Sequence, residues 1–125
     1  MNMILAVASG GAIGAVARFL VGKGVLNLMG PGLPWGTFAV NILGSFIIGL
    51  LVEVFALRMH SSHEWQGFLI VGVLGGFTTF SAFSLEVALM IEKGQISTAM
   101  GYAFASLFLS VVALFIGLYA GKVIF

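Results

Sequence analysis

Hydroxyl and amide side chains recur at helical spacing along this sequence. Asn41 and Ser45 are four residues apart, and Tyr102, Ser106 and Ser110 follow one another at four and four. Each set therefore lines one face of a helix. A serine in a membrane helix often bonds its own backbone four residues back, which is a purely structural reading. Aligned with a tyrosine, the same serines also describe a wet path, because polar groups in hydrocarbon must find partners. Asn, Ser, Thr and Tyr all carry hydrogen-bond donors. Phe80 and Phe83, three apart with Ser81 and Ser84 beside them, are either core filler or rings that turn their positive edges toward an anion.

A second constellation is Gly75-Gly76-Phe77-Thr78-Thr79-Phe80. Adjacent glycines followed by β-branched threonines make a poor helix, and a break in mid-membrane bares backbone carbonyls. Those oxygens need protein donors, water, or a cation held by unwound backbone; a simple kink is the alternative. Arg18, Glu53 and Glu86 are the charges expected within spans, where the default is a functional or paired role. Arg18 is also placed to snorkel toward the interface, and Glu86 is read equally as a vestibule group or a structural partner.

The elements that position these groups follow from composition. The chain has 125 residues, is 61% hydrophobic and 7% charged, and has a mean hydropathy of +1.21, far from the roughly 25% charged residues of a soluble domain. A bilayer core about 30 Å thick takes roughly 20 apolar residues per helix, and four stretches fit: about 3–28, 35–57, 65–92 and 97–122. The expectation is an all-α membrane protein, a single four-helix domain with a break in its third helix. Gly30-Pro31-Gly32-Leu33-Pro34, then Arg58 to Glu64, then Lys93-Gly94-Gln95 separate the spans. Trp35 and Trp65 stand where spans begin, as interfacial indoles do. The N-terminus lacks the basic region of a secretory signal, so the first stretch is kept as a span.

Several classes are excluded. A net charge of +1 without a basic cluster implies no nucleic-acid partner, and the absence of cysteine excludes disulfides and thiol chemistry. His60 and His63 are the only histidines. No embedded metal-ligand cluster, nucleophile pair or cofactor loop points to an enzyme. Lys and Arg are almost balanced between the two sides of the spans: Arg58 and Lys122 on one, Lys23 and Lys93 with Arg18 nearby on the other. The positive-inside rule hardly chooses. Two opposed copies forming an antiparallel homodimer are one consequence, and a single orientation set by a partner or lipid is the other. Small-residue spacings at Gly10 and Gly14, Ser45 and Gly49, and Ala113, Gly117 and Gly121 serve close helix packing.

Gly75-Gly76-Phe77-Thr78-Thr79-Phe80-Ser81-Ala82-Phe83-Ser84, with Gly36-Thr37-Phe38-Ala39-Val40-Asn41 upstream and Gly10 to Gly14 through Arg18, resembles the Fluc (CrcB) fluoride channels over essentially the whole chain. The resemblance implies a dual-topology antiparallel homodimer in the cell (inner) membrane, with two separate pathways that export fluoride passively and so lower its toxicity. It also implies a central sodium ion, structural and not transported, held by backbone carbonyls that map to Gly75 and Thr78. The family's ring-edge phenylalanines map to Phe80 and Phe83, its pore asparagine to Asn41, and its polar track to Ser81, Tyr102, Ser106 and Ser110. Its first-helix arginine maps to Arg18 and the glutamate after the phenylalanines to Glu86. The competing reading is a small proton-coupled multidrug exporter of four spans, which is expected to carry a carboxylate in its first span; here that span has none. A non-conducting membrane subunit is a third reading, against which the aligned donors stand.

Overall fold

The structure is a computed structural model and describes residues 2–58 and 62–124. His60, with residues 59 and 61 of the expected connection from Arg58 to Glu64, lies outside the described residues. Helix α1 spans Met3–Met29. Helix α2, Trp35–Leu51, continues as a π-helical stretch, Val52–Arg58. A short α3, His63–Gln66, runs into a second π-helical stretch, Gly67–Leu74, then α4, Gly75–Phe77, and α5, Ser81–Glu92. Helix α6 is Ile96–Ile124. Among the described residues four helices or helical runs are long and apolar enough to cross a membrane: Met3–Met29, Trp35–Phe55, His63–Glu92 and Ile96–Ile124. The described residues contain helix and connections only.

Local chemistry sets the ends. The Asn2 side chain accepts from the Ile4 N–H at 2.7 Å and starts α1. Gly30, at φ 81°, ends it by donating to the Leu26 carbonyl, and Gly94, at φ 79°, does the same for α5. A left-handed residue at these positions is what glycine permits. Ser62 caps α3 through the Trp65 N–H, so the third span starts at His63, two residues before its apolar run. A hydropathy ruler does not register a cap.

Two glycine seams assemble the helices. Along the first, α1 lies against the third span: a Cβ on Gly10 would strike the Phe68 carbonyl, one on Gly14 the Val73 carbonyl, and one on Gly76 would lie 2.6 Å from the Gly11 carbonyl. Along the second, α2 lies against α6: Gly49 meets the Leu114 carbonyl, Gly117 the Phe46 carbonyl, and Gly121 the side chain of Glu53. Backbone contact at this range is available only to residues without a side chain. Glu53 is buried by this packing, with 4% of its surface exposed.

The core is thin. Val40, Leu74 and Phe77 form its centre, with a second cluster at Met90, Ala99 and Tyr102. Outside it, Phe104, Phe108, Phe115 and Tyr119 of α6 are each more than 60% exposed. In water each such side chain would forgo ~2 kcal/mol of burial. The outer surface is thus matched to hydrocarbon or to another apolar chain, and the protein is a multi-pass membrane protein.

Candidate functional site

Between α4 and α5 the backbone leaves the helix. Thr78 is extended, at φ −86° and ψ 159°, and α5 starts at Ser81. Side chains from three elements fix this turn. Thr78 directs both its N–H (3.0 Å) and its Oγ1 (2.9 Å) to the Leu74 carbonyl. Arg18 Nε donates to the Gly76 carbonyl at 3.1 Å. Asn41 makes two bonds to one residue: its Oδ1 accepts from the Thr79 N–H at 2.8 Å and its Nδ2 donates to the Thr79 carbonyl at 2.9 Å. Thr79 Oγ1 then accepts from the Ala82 N–H at 3.1 Å and lies 3.3 Å from Ser81 Oγ, capping the first turn of α5. Gly44 on α2 admits the Thr78 methyl, which a Cβ there would strike.

The carbonyls of the turn divide into two groups. Those of Leu74, Gly76 and Thr79 have donors, whereas among the described residues no hydrogen bond of the turn reaches those of Gly75 and Thr78. Unpaired peptide oxygens inside a membrane protein cost several kcal/mol unless a donor, water or cation meets them. Oxygen donors of this kind suit a hard cation. Among the described residues no group of three or more His, Cys, Asp or Glu side chains forms an alternative metal site.

Beside the turn opens a cavity of about 270 Å³ lined by Asn41, Ser45, Thr78, Thr79, Phe80, Phe83, Ser106 and Ser110, with Ile48, Leu107 and Val111 as its apolar wall. Ser106 is 5% exposed, and its Oγ has no hydrogen-bond partner among the described residues. A buried hydroxyl without a partner is costly, so its presence on a cavity wall marks a place for a polar guest. Phe80 is 77% exposed; its ring centroid lies 5.6 Å from that of Phe83 at an interplanar angle of 45°.

Glu86 stands one layer away. Its two carboxylate oxygens accept from Thr37 Oγ1 at 2.8 Å and from Tyr102 OH at 3.0 Å. Tyr102 packs on Phe83 and on Phe38, at 5.4 and 6.2 Å between centroids, and Phe38 packs edge-on against Trp35 at 5.8 Å. A continuous row of rings thus runs from Trp35, at the start of α2, to Phe80, at the turn.

Asn41, Phe80, Phe83, Ser106 and Ser110 meet on the one cavity, joined by Ser45. Ser81 lies beside it on Thr79, and Tyr102 sits between it and a second cavity of about 200 Å³ lined by Trp35, Phe38 and Thr98. Arg18 reaches the Gly76 carbonyl, in the same stretch of backbone as Gly75 and Thr78, and Glu86 is a hydrogen-bonded partner of two hydroxyls. Sequence reasoning missed Thr37 and the part played by Thr79. Thr37 was legible: Thr37, Asn41 and Ser45 continue a single spacing of four. Thr79 was not, because its partner Asn41 is 38 residues away.

The sequence profile described as CrcB-like protein, Camphor Resistance (CrcB), matches residues 5–118. The chain is 53% identical over 126 residues to a protein of Caulobacter vibrioides (strain NA1000 / CB15N) named fluoride-specific ion channel FluC, covering 100% of this chain and 99% of that one. It is 53% identical over 125 residues to the protein of that name in Agrobacterium fabrum (strain C58 / ATCC 33970), covering 100% of both. With the Rhizobium meliloti (strain 1021) protein of that name the identity is 52% over 118 residues, 94% of each chain. A match of this length and identity settles the family: the chain belongs to the CrcB-like proteins.

Proposed function

We propose that this protein is a fluoride channel, an ion-conducting membrane protein and not an enzyme, which lets fluoride leave the cell down its gradient. The observation that carries the reading is the cavity beside the turn, where Asn41, Phe80, Phe83, Ser110 and Ser106, whose hydroxyl has no partner among the described residues, line one space. Fluoride is small and strongly hydrated, so a pore must return in hydrogen bonds what it removes in water. Serine hydroxyls and an asparagine amide supply donors, and aromatic ring edges add weak positive potential without a titratable charge. Glu86 would repel an anion. Its two oxygens are each met by a hydroxyl proton, from Thr37 and Tyr102, which disperses its charge and holds it fixed one layer behind the cavity.

The working unit is an antiparallel homodimer of dual topology with one pathway per subunit. The near balance of Lys and Arg on the two sides and the apolar outer face support it. The third helix is broken at Thr78, and the carbonyls of Gly75 and Thr78 are the residues that would hold a structural sodium ion. Their lack of donors among the described residues supports this fit. When bound, the ion supplies positive charge to those oxygens and ties two subunits together, so that binding stabilises the assembled state. The residues of the chain do the rest: Arg18, Asn41 and Thr78 hold the turn, and Ser106 and Ser110 lead the anion along α6 on the side of Tyr102, whose own proton is held by Glu86.

Purified protein in liposomes loaded with potassium fluoride or potassium chloride, with sodium gluconate kept on both sides, tests the reading. With a potassium ionophore to balance charge, a fluoride electrode should record rapid efflux, and a chloride electrode only the leak of empty vesicles. Equal efflux of the two halides would overturn it.

A further inference from the structure

Asn41 makes two bonds to the backbone of Thr79, and their chemistry leaves its amide a single orientation. The Thr79 N–H can only donate and the Thr79 carbonyl can only accept, so Oδ1 must face the first and Nδ2 the second. A flipped amide would set N–H against N–H and oxygen against oxygen, losing both bonds. Thr79 is itself held, because its Oγ1 accepts from the Ala82 N–H at the start of α5. The α2 backbone carrying Asn41 is fixed beside the turn by Gly44, against which Thr78 packs.

The amide has two N–H groups, and the Thr79 carbonyl uses one. The other belongs to a side chain that lines the cavity with Phe80, Phe83, Ser106 and Ser110. We propose that the Thr79 backbone is a selectivity element acting through Asn41: by engaging the amide oxygen it keeps an N–H, and not a carbonyl, turned toward the pathway. Asn41 is then a single-donor anion contact that cannot become a cation contact. This rests on the reading of the cavity as a fluoride pathway and adds what sets the sign of the ion it accepts. A free asparagine would present donor or acceptor as the guest required. Here the acceptor is withdrawn, at the cost of one donor.

The test removes the Thr79 N–H and leaves every side chain in place. Nonsense suppression at position 79 with the α-hydroxy analogue of threonine gives an ester in the full-length channel, so Asn41 Oδ1 faces an ester oxygen and only the Nδ2 bond to the Thr79 carbonyl still opposes a flip. Reversal potentials in planar bilayers under a potassium fluoride gradient should then depart from the fluoride equilibrium potential toward that of potassium, with fluoride flux at least tenfold lower. The ester also weakens the Thr78 carbonyl, which lowers flux alone, so selectivity and not rate is decisive. A lower flux that still reverses at the fluoride potential would overturn the proposal.

A measurement on the unaltered protein stands beside it. In asparagine-¹⁵N-labelled channel, a fluoride titration should shift one of the two Asn41 side-chain N–H protons and leave the one bonded to Thr79 in place. Equal shifts of both, or of neither, in a preparation that passes fluoride and not chloride would refute the single-donor geometry. A preparation that passes both halides alike would instead sink the functional reading, and this inference with it.

Discussion

Replacing Gly14 by alanine should close the channel through packing alone. Gly14 is buried in α1 where a Cβ would strike the Val73 carbonyl and lie 2.9 Å from the Phe77 N–H nitrogen. Both obstacles are backbone of the third span, so neither yields as a flexible side chain would. Over-packing of this kind typically costs 1–3 kcal/mol, and relief requires α1 and the third span to part. Phe77 precedes the turn that Arg18 and Asn41 hold, so the parted arrangement moves the cavity wall. If conduction needs the unparted arrangement, 1–3 kcal/mol against it lowers its population roughly 5–150-fold. Gly22, on the same helix but with nothing within 4 Å of a Cβ, is the matched control; alanine there should be neutral or stabilising by up to ~1 kcal/mol. Fluoride efflux from liposomes, with the thermal melting of each variant, reads both effects. Equal flux from Gly14→Ala and Gly22→Ala would refute the reasoning.

The other expectations concern separate parts of the site. Ser106→Ala removes a buried hydroxyl that has no hydrogen-bond partner among the described residues, so melting temperature should stay level or rise while fluoride flux falls; a large loss of stability would mean the hydroxyl is structural. Replacing sodium by N-methylglucamine on both sides should depress fluoride flux, while reversal potentials stay at the fluoride value whatever the sodium gradient. Unchanged flux would make the turn an ordinary kink, and a reversal potential that follows sodium would mean coupled transport. Lys93→Cys should react with an impermeant thiol reagent from both faces of the membrane; labelling from one face only would exclude opposed insertion.

Much of the architecture was legible because a bilayer reads sequence coarsely. Length and hydropathy mark the spans, and spacing by four places Asn41 with Ser45 and Tyr102 with Ser106 and Ser110. What spacing does not carry is which face meets which. The Arg18 bond to Gly76 joins residues 58 apart, and the Thr37 bond to Glu86 joins residues 49 apart, so both depend on how α1 and α2 seat against the third span. That seating follows from Gly14, Gly44 and Gly76, whose pairing across helices is a matter of shape. The π-helical winding of Val52–Arg58 and Gly67–Leu74 was invisible too, since it leaves the apolar character of each stretch unchanged. Arg18 shows the limit most plainly: its place in the sequence fits a snorkelling side chain, and only the fold reveals that it spends its Nε–H on a backbone carbonyl.

The central claim, that the space beside Phe80 and Phe83 conducts fluoride alone, is tested most directly by a bi-ionic reversal potential. With sodium fluoride on one side of a planar bilayer and an equal concentration of sodium chloride on the other, current should flow as fluoride only. The reversal potential should then move far from zero, in the direction set by fluoride leaving its own compartment, and keep moving as trace fluoride is removed from the chloride side. A reversal potential near zero would mean that the two halides pass alike, and would contradict the account.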